Sequence, residues 1–324
     1  MRIDFAKVAV LGVMVVSAIA SGFSDEIDPY VLQILMMIGI NLILGVSLNL
    51  VTGYTGQFSL GHAGFMAVGA YTVAVLTTVG GPEVIHRMGG DSLLVKSLLY
   101  LVALILGGLV AALAGLVVGI PSLRLRGDYL AIVTLGFSEI IRVLIQNWDF
   151  VGASRGYSVV PGYANLFWVF TAAALTVYVV DRLVHSTYGC GFLATRDDEI
   201  AAEAMGVNTT RFKVVAFALG AFFAGIAGGL YAHVLGYINP SKFDFQMSFE
   251  IIIIVIVGGM GNTFGVVAAA VILAVLNEQL RSFAEYRMVL FSLLLIVLMI
   301  LRPQGLLSGI PFRKWFGKKG GRLA

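Results

Sequence analysis

A handful of polar side chains set among glycines offers the first chemistry in this sequence. Gly53, Tyr54, Gly56, Gln57, Ser59, Gly61, His62 and Gly64 lie between two strongly apolar stretches. An unwound segment of this kind exposes backbone carbonyls and amides, and inside a membrane protein such groups meet polar solutes where they line a cavity. Gly258, Gly259, Gly261 and Asn262, followed by Thr263 and Gly265, form a second break of the same character. Two readings fit both breaks. In one, they line a path for a solute; in the other, the glycines permit tight turns and close helix contacts. His62 has no second histidine or cysteine near it in sequence, so we expect no metal site and read it as a polar helix-end residue.

Ionisable groups within apolar stretches are costly and often functional. Glu139 and Arg142 stand three apart, on one face of a helix, and are expected to pair. Asn41, Asn49 and Asn277 bring amides into otherwise apolar helices, while Glu250 and Glu278 fall near expected helix ends. These groups do not make a catalytic set. The sequence contains no GxxxxGK[ST] phosphate loop, no nucleophile elbow and no HExxH, so no catalytic residue and no cofactor on this chain are expected.

The elements that must position these residues follow from composition. The chain has 324 residues, of which 59% are hydrophobic and 12% charged, against about 25% charged in an ordinary soluble domain. Crossing roughly 30 Å of hydrocarbon takes about 20 mainly apolar residues, and such runs occur almost end to end. Ten segments can be marked, at 5–22, 30–51, 61–79, 93–120, 129–146, 164–180, 212–235, 249–257, 264–280 and 288–301. The eighth is too short to span alone. The fold class expected is therefore all-α integral membrane, a polytopic bundle of about ten transmembrane segments (eight if some are re-entrant), forming one domain over 1–324. The stretch after Arg2 and Lys7, ending Ala18-Ile19-Ala20, superficially fits a signal peptide, but an uncleaved first span is expected. Cys190 is the single cysteine, which excludes an intramolecular disulfide framework. Ala221, Gly225 and Gly229 recur every fourth residue and should join helices within the bundle.

Lys and Arg concentrate in cytoplasmic loops. With a cytoplasmic N-terminus, the inner loops hold Arg124, Arg126, Arg182, Arg196, Arg211 and Lys213, and the inner tail runs over 302–324. Arg87, Lys96, Arg155, Lys242, Arg281 and Arg287 remain outside. Both termini are thus expected in the cytoplasm. The sparse, loop-confined basic set does not suggest nucleic-acid binding.

The longest inner polar stretch, 181–213, is where a partner would dock. Within it Thr195, Arg196, Asp197, Asp198, Glu199, Ile200, Ala201, Ala202, Glu203, Ala204, Met205 and Gly206 read as one short helix. Thr195 and Asp198 have capping-box spacing, the acids suit the positive helix end, and Gly206 supplies the stop. Ile200, Ala201, Ala204 and Met205 leave a small apolar face. So short a helix is marginal alone and needs a partner surface; the alternative is a helix that merely connects two spans.

This segment, with Thr187-Tyr188-Gly189 before it, resembles the coupling loop of branched-chain amino-acid ABC permeases of the LivM type. The run Gly53 to Phe65 resembles the most characteristic signature of that family. So do the run Leu125 to Gly136, the run Gly258 to Asn262 with Gly265, and the run Leu301 to Leu306. Together these cover about 41–307 in the expected order. The resemblance implies a coupling helix over Arg196 to Gly206, docking into an ATPase, with Thr195, Arg196, Asp197, Asp198, Glu199, Ala201, Ala202 and Gly206 as coupling residues. It further implies a second homologous permease, two ATPase subunits carrying ATP and Mg, an extracytoplasmic solute-binding protein, and location in the inner membrane of a bacterium or archaeon. The cargo implied is leucine, isoleucine or valine; urea, short amides or other amino acids are alternatives within the family. Cys190-Gly191 departs from the expected basic residue followed by Ala, which puts a contact from that position in doubt. The broken helices and intramembrane charges also motivate a rival, an ion-coupled transporter working alone.

Overall fold

The computed structural model describes residues 5–22, 28–87, 92–122, 127–160 and 163–280, with scattered helical positions between 289 and 300. Twelve α-helices are assigned in these residues: α1 Phe5–Gly22, α2 Pro29–Thr55, α3 His62–Val75, α4 Gly81–Arg87, α5 Leu93–Ser122, α6 Asp128–Gln146, α7 Leu166–Val184, α8 Gly189–Asp197, α9 Glu199–Ala204, α10 Thr209–Leu235, α11 Phe245–Gly258 and α12 Thr263–Gln279. A π-helical turn, Leu76–Gly80, joins α3 to α4. Two-residue strands β1 (Tyr157–Ser158) and β2 (Tyr237–Ile238) pair antiparallel, Tyr157 opposite Ile238. They tie the loop after α6 to the end of α10.

Among the described residues, six helical runs are long and apolar enough to cross a bilayer, one of them the continuous run His62–Glu83 through α3, the π turn and α4; Val10–Gly22, α11 and α12 are shorter apolar helices. The all-α membrane bundle expected from composition is what the chain forms. At 1.5 Å per residue, the 14 residues of α11 reach about 21 Å, short of a full crossing, as expected for the eighth segment. The tenth segment, the loop with Arg124 and Arg126, and the basic tail lie wholly or largely outside the described residues.

Helix α10 is the hub, packed on α2, α3 and α5. Close approach rather than hydrophobicity drives helix association in lipid, and the small residues of α10 supply it. Ala221, Gly225 and Gly229 do join helices inside the bundle. A Cβ on Gly225 would come within 2.5 Å of the Ala111 methyl, and one on Gly69 of α3 would fall onto the Gly225 backbone. Elsewhere α1 lies on α7, while α2 lies against α7, α11 and α12. The outer flank of α5 presents Leu101, Ile105 and Leu109 to the surroundings, while Tyr100, Ala103, Leu104 and Ala111 turn inward. This is the division expected of a helix with one side in lipid.

The bundle has two ends of different make. At one, α2 and α11 finish, α3, α10 and α12 begin, and α8 and α9 lie across them. At the other, α2 and α11 begin and α10 and α12 finish.

Candidate functional site

At the α8/α9 end, the expected single helix over Thr195 to Gly206 is instead two, broken at Asp198. The Thr195 hydroxyl donates to the Gly191 carbonyl (2.7 Å), one turn back within α8, so it does not cap. Asp198 is extended (φ −158°) and its carboxylate accepts from the Ile200 and Ala201 amides, capping α9. A threonine in the last turns of a helix satisfies its hydroxyl locally; Asp198 is the first position free to leave helical backbone. The stop falls where expected. Gly206 has φ +82°, its amide donates to the Glu203 carbonyl, and the Val207 amide donates to the Ala202 carbonyl, the paired bonds of a Schellman turn.

Helix α9 is held from below by polar links to α10. The Lys213 ammonium donates to the Glu199 carboxylate at 2.5 Å, and the Thr209 hydroxyl donates to that of Glu203 at 2.6 Å. Ala202 is buried, 6% exposed. Glu199 and Ala202, expected to meet a partner, therefore serve the seat of the helix. The upper face is the apolar one: Ile200 is 68% and Met205 84% exposed, with Ala201 and Ala204 between them. Rings of Tyr188, Phe192 and Phe212 lie 4.7–5.7 Å apart and fix α8 on α10. The Gly191 departure has a reason here, since a Cβ at that position would strike the Phe212 ring.

The two glycine-rich breaks meet beneath α8. Helix α2 runs on to Thr55, so Gly53 and Tyr54 belong to a helix, and the irregular stretch is 56–61. The Asn49 carboxamide oxygen accepts from the Gly261 amide (2.9 Å). The Thr263 amide donates to the Tyr54 oxygen (3.2 Å), whose hydroxyl also bonds the Thr263 hydroxyl. No side chain fits at Gly53, where a Cβ would fall onto Asn49 Oδ1 and the Gly261 amide. Asn262 caps α12 through the Gly265 amide. Arg196 bridges the two breaks: one guanidinium nitrogen reaches the Gly53 carbonyl at 3.5 Å and stands beside Gly261, its stem lies against Gly56, and its head pairs with Asp197. Ser59 and Gln57 are buried in the turn, and His62 is buried against Ser47, Nε2 to Oγ 2.8 Å.

None of these break residues lines the large cavity, which opens toward the other end. It encloses about 700 Å³ between the start of α2, the end of α10, α11 and the end of α12. Tyr30, Gln33, Asn41, Glu250, Asn277 and Glu278 supply much of its polar lining. The Tyr30 hydroxyl donates to the Glu278 carboxylate and closes the rim between α2 and α12. Because α11 begins at Phe245 rather than 249, Glu250 stands inside the helix instead of at its end. The sequence singles out Asn41 and Asn277 as amides in apolar helices but offers the glycine breaks as one candidate for the path, beside their reading as tight turns and helix contacts; Tyr30 and Gln33 carry no signal of their own. Glu139 and Arg142 pair as expected, Nε to Oε2 2.8 Å, away from both sites.

A family model described as the branched-chain amino acid transport system permease component matches residues 30–301. The chain belongs to that permease family. It is 37% identical over 324 residues to the high-affinity branched-chain amino acid transport system permease protein LivM of Salmonella typhimurium, covering 89% of this chain and 71% of the relative. The probable LivM of Methanocaldococcus jannaschii is 27% identical over 64% of this chain and 69% of its own length. LivH of Salmonella typhimurium, also named as a permease protein of that system, is 27% identical over 49% of this chain and 52% of its own length. No solved structure matches. Membership accounts for the signatures read in the sequence: two of them, around Gly53 and Gly258, are the surfaces by which this permease locks α2 to the α11–α12 turn beneath Arg196.

Proposed function

We propose that this chain is the membrane-spanning permease subunit of an ATP-binding-cassette importer for branched-chain amino acids, lodged in the inner membrane with both termini cytoplasmic. The observation that carries the reading is α9: a two-turn helix whose apolar face is exposed while its polar side chains bind it to its own bundle. A partner ATPase covers Ile200 and Met205 in this reading. Displacement of α9 passes through Glu199–Lys213 and Glu203–Thr209 into α10, and through Arg196 into the locked breaks of α2 and α11–α12. Those helices bound the cavity, so movement at one end changes its shape at the other, and the two arrangements alternate access. ATP and Mg belong to two ATPase subunits. A second, related permease completes the membrane unit, in keeping with the likeness to both LivM and LivH, and an extracytoplasmic binding protein delivers the cargo. Leucine, isoleucine and valine are the favoured cargo because the relatives are named for them.

The test is Ile200→Asp together with Met205→Asp. Both side chains are exposed, so the membrane fold and abundance should not change. Burying an apolar side chain of this size contributes about 1.5–3 kcal/mol, so the pair should weaken ATPase copurification about a hundredfold or more and abolish leucine uptake. Undiminished copurification and uptake would count against the reading.

A further inference from the structure

The cavity does not end in a flat floor. Asn41 stands near the middle of α2, and with Glu250 of α11 and Asn277 of α12 it forms a polar waist drawn from three helices. The same three residues also line a second, smaller hollow of about 40 Å³, whose other walls include Ile251, Ile253, Ile254 and Leu273. A water needs roughly 10–15 Å³ by this measure, so the hollow has the bulk of about three waters, or of a short branched aliphatic group. Ala274 lines both spaces.

The polar side of the waist has a definite sign. Of the charged residues lining the wide cavity, Asp244, Glu250 and Glu278 are acids and Lys242 is basic. Asn277 adds a buried carboxamide oxygen with no hydrogen-bond partner among the described residues. Buried polar atoms in native proteins are nearly always satisfied, and an acceptor beside a carboxylate suits a charged N–H donor. A carboxamide such as Asn41 also offers two N–H groups to a carboxylate.

We infer that this waist is the recognition site of the permease: Glu250 and Asn277 hold the substrate's ammonium group, Asn41 its carboxylate, and the hollow bounded by Ala274 takes its aliphatic side chain. The inference rests on the importer reading above and adds to it which residues select the cargo. Head and side chain are sensed by different groups, so the two can be perturbed separately. Glu250→Gln weakens a contact that every α-amino acid makes. Ala274→Leu fills the space that only the larger side chains use.

The experiment compares uptake of radiolabelled leucine and alanine by cells carrying the complete transporter, with the binding protein unchanged and membrane abundance checked by immunoblot. One methylene in a fitted apolar pocket is worth about 10- to 200-fold in discrimination. Ala274→Leu should lower the leucine-to-alanine ratio about tenfold or more. Glu250→Gln should raise KM for both amino acids about tenfold and leave the ratio unchanged. If Ala274→Leu transports neither, Ala274→Gly is the second variant, and it should shift preference toward larger side chains. Wild-type uptake with ratios untouched by the Ala274 variants, or a Glu250→Gln KM equal to wild type, would overturn the site and leave the importer standing. Absence of leucine uptake in the wild type would overturn the importer reading and the site with it.

Discussion

Asn49 and Asn41 sit two turns apart on α2, and their surroundings could hardly differ more. Asn49 is fully buried at the α8/α9 end, its oxygen accepting the Gly261 amide across a contact so close that Gly53 admits no side chain. Asn41 lines an open cavity of about 700 Å³. One helix therefore carries a locked end and an accessible end. The same residue type is structural where the backbone of another helix touches it, and available for a ligand where helices stand apart. What separates the roles is the neighbour across the gap.

The contrast can be broken most severely at Gly53. Gly53→Ala drives a methyl group onto a backbone amide that cannot step aside, and overpacking of this kind costs about 3 kcal/mol. The purified chain should show a sharply lower midpoint of thermal denaturation in detergent and poor yield. A milder break compares the two asparagines directly. Asn49→Ala strands the Gly261 amide and should cost about 1–3 kcal/mol, whereas Asn41→Ala should change stability by under about 0.5 kcal/mol while reducing transport. Equal destabilisation by the two would erase the distinction between the ends. The smallest effect tests the seat of α9. Lys213→Ala removes a link whose carboxylate partner is still a quarter exposed, so a loss of only about 1 kcal/mol is expected. Denaturation midpoints of Lys213→Ala, Glu199→Gln and the double variant, read as a cycle, would measure the coupling.

The membrane bundle was legible because apolar runs need no knowledge of their neighbours. Segments 93–120 and 212–235 extend in the structure only to Ser122 and back to Thr209. The apolar face of α9 was legible for the same reason, being a local periodicity. Its start was not: Thr195 and Asp198 are both capping types, and the choice between them depends on α8 already being helical through Asp197. The bonds that turn Glu199 and Glu203 toward the bundle depend on Lys213 and Thr209, on the next helix. Least legible was the cavity. Asn41, Glu250 and Asn277 come together only through packing of α2, α11 and α12, and the glycine breaks drew attention because their oddity shows in sequence alone.

The small-residue seam on α10 also bears on how the chain is built. Helices α2, α3 and α5 leave the ribosome well before α10, yet the slot between α3 and α5 at Gly69 and Gly107 is filled by Gly225 of that later helix. His62 bonds Ser47 between α2 and α3, whereas the Thr77 hydroxyl, besides carbonyls of its own helix, reaches His233 near the end of α10. Until α10 is in place, the slot at Gly69 lacks the helix that fills it. A chain halted before Thr209 would present an unfilled groove to the insertion machinery and to quality-control proteases, however well its earlier helices had crossed.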